Sequence, residues 1–149
     1  MLDKAHVYQA LKKELETKIS RLQIAFDDLL LALTSNTKSS AGDKHETGRA
    51  MAQLEQEKLS SQLGQLTLLK EALAKIEPDE KHESIQFGSL IKTGNGYFFL
   101  SIGLGKISLD DENIFCLTAT SPMGKVLIGK SAGDTIQMNS NTIQIISVT

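Results

Sequence analysis

Through the first half of the chain the apolar residues keep one step. Tyr8, Leu11, Leu15, Ile19, Leu22, Phe26, Leu29 and Leu33 lie three or four positions apart, the spacing that lays side chains in a stripe along a helix. A second stripe runs through Leu59, Leu63, Leu66, Leu69, Leu73 and Ile76, with Met51 and Leu54 just ahead of it. Between the stripes, residues 34–43 are polar and without period. Two amphipathic helices joined by a short polar segment pack as an antiparallel coiled-coil hairpin. Thirty helical residues span roughly 45 Å at ~1.5 Å each, which places residues 36–46 at the far tip.

After Pro78 the pattern changes. Residues 1–78 hold three of the eleven glycines and residues 79–149 hold eight, together with most of the Ile-, Val-, Phe- and Thr-rich runs. The first half therefore favours helix and the second favours strands and turns. The run Asp79-Glu80-Lys81-His82-Glu83 after Pro78 marks a short linker, 79–84. Residues 85–91 read as a first strand, 92–96 as a turn, and 97–102 as a second strand interrupted at Gly103-Leu104-Gly105. Residues 114–117, 135–138 and 142–148 read as further strands. Ser121, Pro122 and Gly129 bracket one short helix: a serine cap, a proline at the first position and a glycine after the last turn. The fold class is α+β: a hairpin over 1–78, then a small antiparallel β domain over 85–149 with one helix.

Composition excludes several classes. No stretch approaches the ~20 apolar residues of a membrane span. The opening MLDKAHVYQALKKELE mixes charge with apolar residues, unlike a secretory signal. Sixteen basic and eighteen acidic side chains give a net charge of −2, against a protein that coats nucleic acid by bulk charge. The single Cys116 excludes an internal disulfide and a Cys-rich zinc site, and among Phe115 and Leu117 it reads as a small buried hydrophobe. The expectation is a soluble cytoplasmic protein.

The tip carries the candidate chemistry. Asp43 and Glu46 have the i, i+3 spacing of a helix start, so both carboxylates project from one side of a first turn. The same spacing suits a capping box, with Asp43 as cap and Glu46 as its reciprocal partner. The two roles are compatible. Magnesium is commonly held by one or two protein carboxylates, with waters and substrate phosphates completing its shell. Two carboxylates on an exposed tip thus suit a metal shared with another molecule. His45 between them reads as a solvated tip histidine.

Two motifs resemble the bacterial Gre-type transcript cleavage factors. One is the tip, SSAGDKHETGRAMAQLEQEK, similar to that family's Gly-Asp-x-x-Glu tip leading into a second coiled-coil helix. The other is TSPMGKVLIGKSAGD, similar to the family's Ser-Pro-x-(Ala/Gly)-(Arg/Lys)-x-Leu-(Ile/Leu)-Gly-Lys-x-x-Gly-Asp segment. FGSL and the closing IQIISV also fit, so the resemblance runs over nearly the whole chain in order. It implies an N-terminal antiparallel coiled coil and a C-terminal FKBP-like domain, without prolyl isomerase activity. It implies a monomeric elongation factor, not itself an enzyme. Its partner would be bacterial RNA polymerase, with no membrane, and it would be cytoplasmic and associated with the nucleoid through polymerase. On the resemblance, Thr120, Ser121 and Pro122 meet the rim of the polymerase secondary channel. Asp43 and Glu46 fall on the tip acids that help hold a second Mg2+ shared with polymerase, where the 3′ end of backtracked RNA is cleaved. Lys44, Thr47, Arg49 and Ala50 depart from the family's tip pattern, which leaves a secondary-channel regulator without cleavage as the alternative.

Overall fold

The computed structural model describes residues 2–36 and 43–149, with side chains described over 2–34 and 47–149. Two helices come first, α1 (Lys4–Asn36) and α2 (Asp43–Leu73). Residues 37–42, the middle of the expected tip, lie outside the described residues. Six strands and one helix follow: β1 (Leu90–Thr93), β2 (Gly96–Leu100), β3 (Gly105–Leu109), β4 (Glu112–Leu117), α3 (Pro122–Leu127), β5 (Thr135–Met138) and β6 (Asn141–Val148). No helix among the described residues is long and apolar enough to cross a membrane.

The chain divides into two compact units. One comprises Met1–Glu14 with Leu69–Thr149, the other Leu15–Leu68. The division falls inside the helices and not at Pro78, so residues 79–84 belong to the first unit along with the start of α1 and the end of α2.

In the Leu15–Leu68 unit the two helices run antiparallel. Leu22 shares a groove with Gln62 and Leu66, Phe26 with Gln56 and Ser60, and Leu33 with Gln53 and Arg49, so the partner number falls as the α1 number rises. Leu15, Leu33 and Leu59 are buried, and Ile19, Leu22, Phe26, Leu29, Leu63 and Leu66 are half-buried. The expected seam is therefore present over most of its length. Met51 and Leu54, just ahead of the second stripe, do not extend it, both being about two-thirds exposed. Ala52 and Gln56 are half-buried there instead. The reason is phase. Stepping back from Leu59 by three and then four reaches Gln56 and Ala52, which leaves Met51 and Leu54 off the stripe.

In the other unit the sheet order is β3-β4-β2-β1-β6-β5. Four pairings are antiparallel, as expected, and β2–β4 is parallel, with Tyr97 opposite Ile114 and Leu100 opposite Leu117. Chain geometry accounts for it: the 101–104 segment reverses the chain into edge strand β3, and the β3–β4 hairpin reverses it again beside β2. The β3 segment Gly105-Lys106-Ile107-Ser108-Leu109 was not expected as a strand. The expected strand over 85–91 is split at Gly88, whose φ of +92° turns the chain. Only Leu90–Thr93 joins β2, while Ile85 exchanges backbone bonds with Lys130 and Gly129, each 2.8 Å.

Both faces of the central strand are buried, which explains the unbroken apolar run Tyr97-Phe98-Phe99-Leu100. Phe98 and Leu100 pack with Ile91, Ile136, Ile143, Ile145 and Leu127 of α3. The alternate residues Tyr97 and Phe99 are buried on the opposite face, level with Ile114 and Cys116. Near that face the Leu2 amide donates to the Tyr97 hydroxyl at 3.2 Å. Val7, Leu11, Leu73 and Ile76 are all buried within this unit.

Candidate functional site

Asp43 is the first residue of α2 and Glu46 the fourth. Both therefore stand in the first turn, where four backbone N–H groups lack helical partners and the helix dipole favours negative charge. Their side chains, and those of Lys44 and His45, lie outside the described residues. By composition the pair offers hard carboxylate oxygens suited to Mg2+. Among the described residues no group of three or more His, Cys, Asp or Glu could hold a metal by itself.

The residues just beyond are exposed from Thr47 to Ala50. Arg49 lines a shallow groove with Leu33, Thr34 and Gln53. Thr34 donates its hydroxyl to the Leu30 carbonyl at 2.9 Å.

The Thr120-Ser121-Pro122 loop is held from within. The Ser121 hydroxyl donates to the Thr118 carbonyl at 2.7 Å and accepts from the Gly124 amide at 3.0 Å. It is thus the N-cap of α3, and Pro122 occupies the first turn, as the sequence pattern predicts. Gly129, with φ +83°, follows the helix end. The Thr118 and Thr120 hydroxyls are 3.1 Å apart. Ala119 and Met123 pack on the core cluster, while Thr120 and Pro122 are exposed. The loop therefore presents two side chains on a backbone fixed at both ends.

A buried polar cluster lies in the sheet-containing unit around His82 and Ser89. His82 Nδ1 lies 2.7 Å from the Ser89 hydroxyl, which also accepts from the Gln86 amide at 3.0 Å. His82 Nε2 is 3.9 Å from Glu80. The His82 amide donates to the Thr149 carbonyl oxygen at 2.9 Å, and Lys4 Nζ reaches that same oxygen at 2.6 Å. Burial lowers the His82 pKa first, Lys4 lowers it further, and Glu80 partly offsets both. Burial also lowers the Lys4 pKa, opposed by Glu80. Ser, His and Glu are the types of a nucleophile, base and orienting acid. Ser89 is completely buried, however, so no substrate reaches its hydroxyl. The cluster is a structural tie. The only sequence signal for it was one histidine in a run read as linker. Cys116 is buried as expected, and burial pushes its thiol up to about 12, far from a reactive thiolate.

No protein-family model and no curated protein matches the sequence. Among solved structures, the chain is similar to the GreA factor homolog 1 (Gfh1) protein of Thermus thermophilus. Identity is 16%, covering 93% of this chain and 94% of that one, with a TM-score of 0.36. A second structure, of the transcription factor Gfh1, gives 18% identity, 93% coverage of each chain and a TM-score of 0.38. In this chain the elements run in the order of a long N-terminal helical hairpin, then a six-stranded sheet with one short helix.

Proposed function

We propose that this protein is an RNA polymerase secondary-channel factor that stimulates cleavage of the 3′ end of backtracked RNA. The observation carrying the proposal is the position of Asp43 and Glu46, three residues apart in the first turn of a 31-residue helix. Two carboxylates in one helical turn do not by themselves make a catalytic site, which needs a shaped pocket that excludes water. Two carboxylates on a slender hairpin can instead complete the ligand shell of a Mg2+ that polymerase and RNA hold from the other side. The hairpin delivers the acids, and the chemistry belongs to polymerase. Thr120 and Pro122, on the loop fixed by Ser121, supply the contact with the channel rim. Protein docked in this way is cytoplasmic and meets the nucleoid through polymerase.

The tip surroundings favour a second reading, a channel regulator without cleavage. Lys44 and Arg49 add positive charge beside the acid pair, and Ala50 supplies no aromatic contact. One assay separates the two. The full chain is added to purified, backtracked elongation complexes with Mg2+, and binding and 3′ cleavage are measured together. Acceleration supports the cleavage factor. Binding without acceleration selects the regulator, and absence of binding rejects both.

A further inference from the structure

A groove on the helical hairpin has a chemistry that the tip reading does not use. It holds about 380 Å³ and is lined by Lys18, Arg21 and Leu22 of α1 and by Gln62, Gln65 and Leu66 of α2. Lys18 and Arg21 are spaced i, i+3, so their side chains neighbour each other on the helix surface. Gln62 and Gln65 repeat that spacing across the groove, and Leu22 and Leu66 are half-buried between the two walls. No acidic residue lines the groove. Neither Lys18 nor Arg21 forms an ion pair with another described residue. Two cations thus neighbour each other on the groove wall, Glu14 lying one turn before Lys18 without an ion pair to it, opposite two carboxamides that donate and accept.

From this arrangement we infer that the groove docks an acidic protein segment, with Lys18 and Arg21 pairing its carboxylates and Gln62 and Gln65 binding its backbone or side-chain amides. Charge complementarity chooses this occupant over nucleic acid. A nucleic-acid strand presents a phosphate at every step and is bound by extended basic surface. The Leu15–Leu68 unit carries six basic and seven acidic side chains, with Glu16, Asp27, Asp28, Glu55 and Glu57 among the acids. That distribution repels a continuous polyanion while leaving this one site free for one or two carboxylates. The guanidinium of Arg21 suits a bidentate carboxylate contact, and the two leucines accept the aliphatic part of the partner.

The inference rests on the polymerase reading for the identity of the partner, so the test has two arms. In the first, affinity for purified bacterial RNA polymerase is measured over a salt series. Three proteins are used: wild type, Lys18→Glu with Arg21→Glu, and a charge-matched control, Lys58→Glu with Lys70→Glu. The groove variant is expected to lose about tenfold or more in affinity at low salt, converging toward wild type as salt screens the contact. The control is expected to lose less than about threefold, as a screened surface change does. Equal losses in both variants overturn the inference. In the second arm, poly-L-glutamate and a single-stranded RNA are the probes. Poly-L-glutamate binding that the groove variant alone abolishes supports the site even where polymerase binding is absent, which would reject only the functional reading. Preferential retention of RNA over poly-L-glutamate overturns the acidic-segment assignment. Circular dichroism of each variant confirms that the hairpin is folded.

Discussion

The Gly124 α-carbon lies against the Thr118 carbonyl oxygen so closely that a Cβ at 124 would sit far inside van der Waals contact with it. The same carbonyl accepts the Ser121 hydroxyl and, at 3.2 Å, the Ser121 amide. Close approach of α3 to the loop before it is therefore part of how the loop is fixed. Gly124→Ala is expected to destabilise the sheet-containing unit by ~1–3 kcal/mol, the range for overpacking against atoms that cannot move aside. Urea unfolding followed by near-UV signals from Tyr97 checks it, and an unchanged midpoint would mean that α3 can shift without cost.

Gly64 presents the opposite case. Nothing lies within 4 Å of a Cβ built there, and the same holds for Gly48. Both are inside α2, where glycine costs ~1 kcal/mol relative to alanine. Gly64→Ala is expected to raise helix stability by about that amount, read as slower amide hydrogen exchange in residues 55–68.

Two hairpins take left-handed turns without glycine. Asp110 and Asp111 have φ of 51° and 63°, and Asn139 and Ser140 have 52° and 71°. They link Leu109 to Glu112 and Met138 to Asn141 across two-residue loops, and positive φ at both loop positions is the pattern that favours Asn-Gly. Ser140→Gly is expected to stabilise the protein by ~0.5–1 kcal/mol, since serine carries a Cβ penalty there that glycine lacks. Thermal unfolding measures it.

The His82 environment predicts a pH dependence with a definite sign. The folded-state pKa is lowered below the ordinary 6.5, so between those two values the unfolded chain binds more protons than the folded one. Stability is then complete above about pH 6.5 and is lost as pH falls toward the folded pKa. His82→Gln is expected to flatten the urea midpoint across that window, while carboxylate titrations at lower pH remain. A slope unchanged by the substitution would place the proton elsewhere.

Local chemistry made some features readable in the sequence and hid others. The α1 stripe and the Ser121-Pro122 cap were readable because each depends on residues within one or two turns. Met51 and Leu54, just ahead of the second stripe, are apolar near the right spacing, yet Ala52 and Gln56 are the half-buried residues there. Phase along a helix is set by packing, and the polar Gln56 gave no sign of its place. Strand β3 and the left-handed conformation of both glycine-free turns are hidden because Asp110-Asp111 and Asn139-Ser140 do not announce such turns as glycine does. The parallel β2–β4 pairing is long-range and leaves no local mark. For the candidate site, Asp43 and Glu46 were readable as a helix start. The groove that sets Lys18 and Arg21 of α1 opposite Gln62 and Gln65 of α2, and the contact of Lys4 with the Thr149 carbonyl beside His82, arise only when distant segments meet.

The most direct test of the account is the rate of 3′ RNA cleavage in backtracked complexes, measured against Mg2+ concentration for wild type, Asp43→Asn and Glu46→Gln, with polymerase affinity measured in parallel. Predicted for wild type is acceleration that rises with Mg2+. Each variant is predicted to fall to the rate of polymerase alone while binding as tightly as wild type. Full acceleration by both variants would contradict the account, because the carboxylates would then have no part in holding the metal.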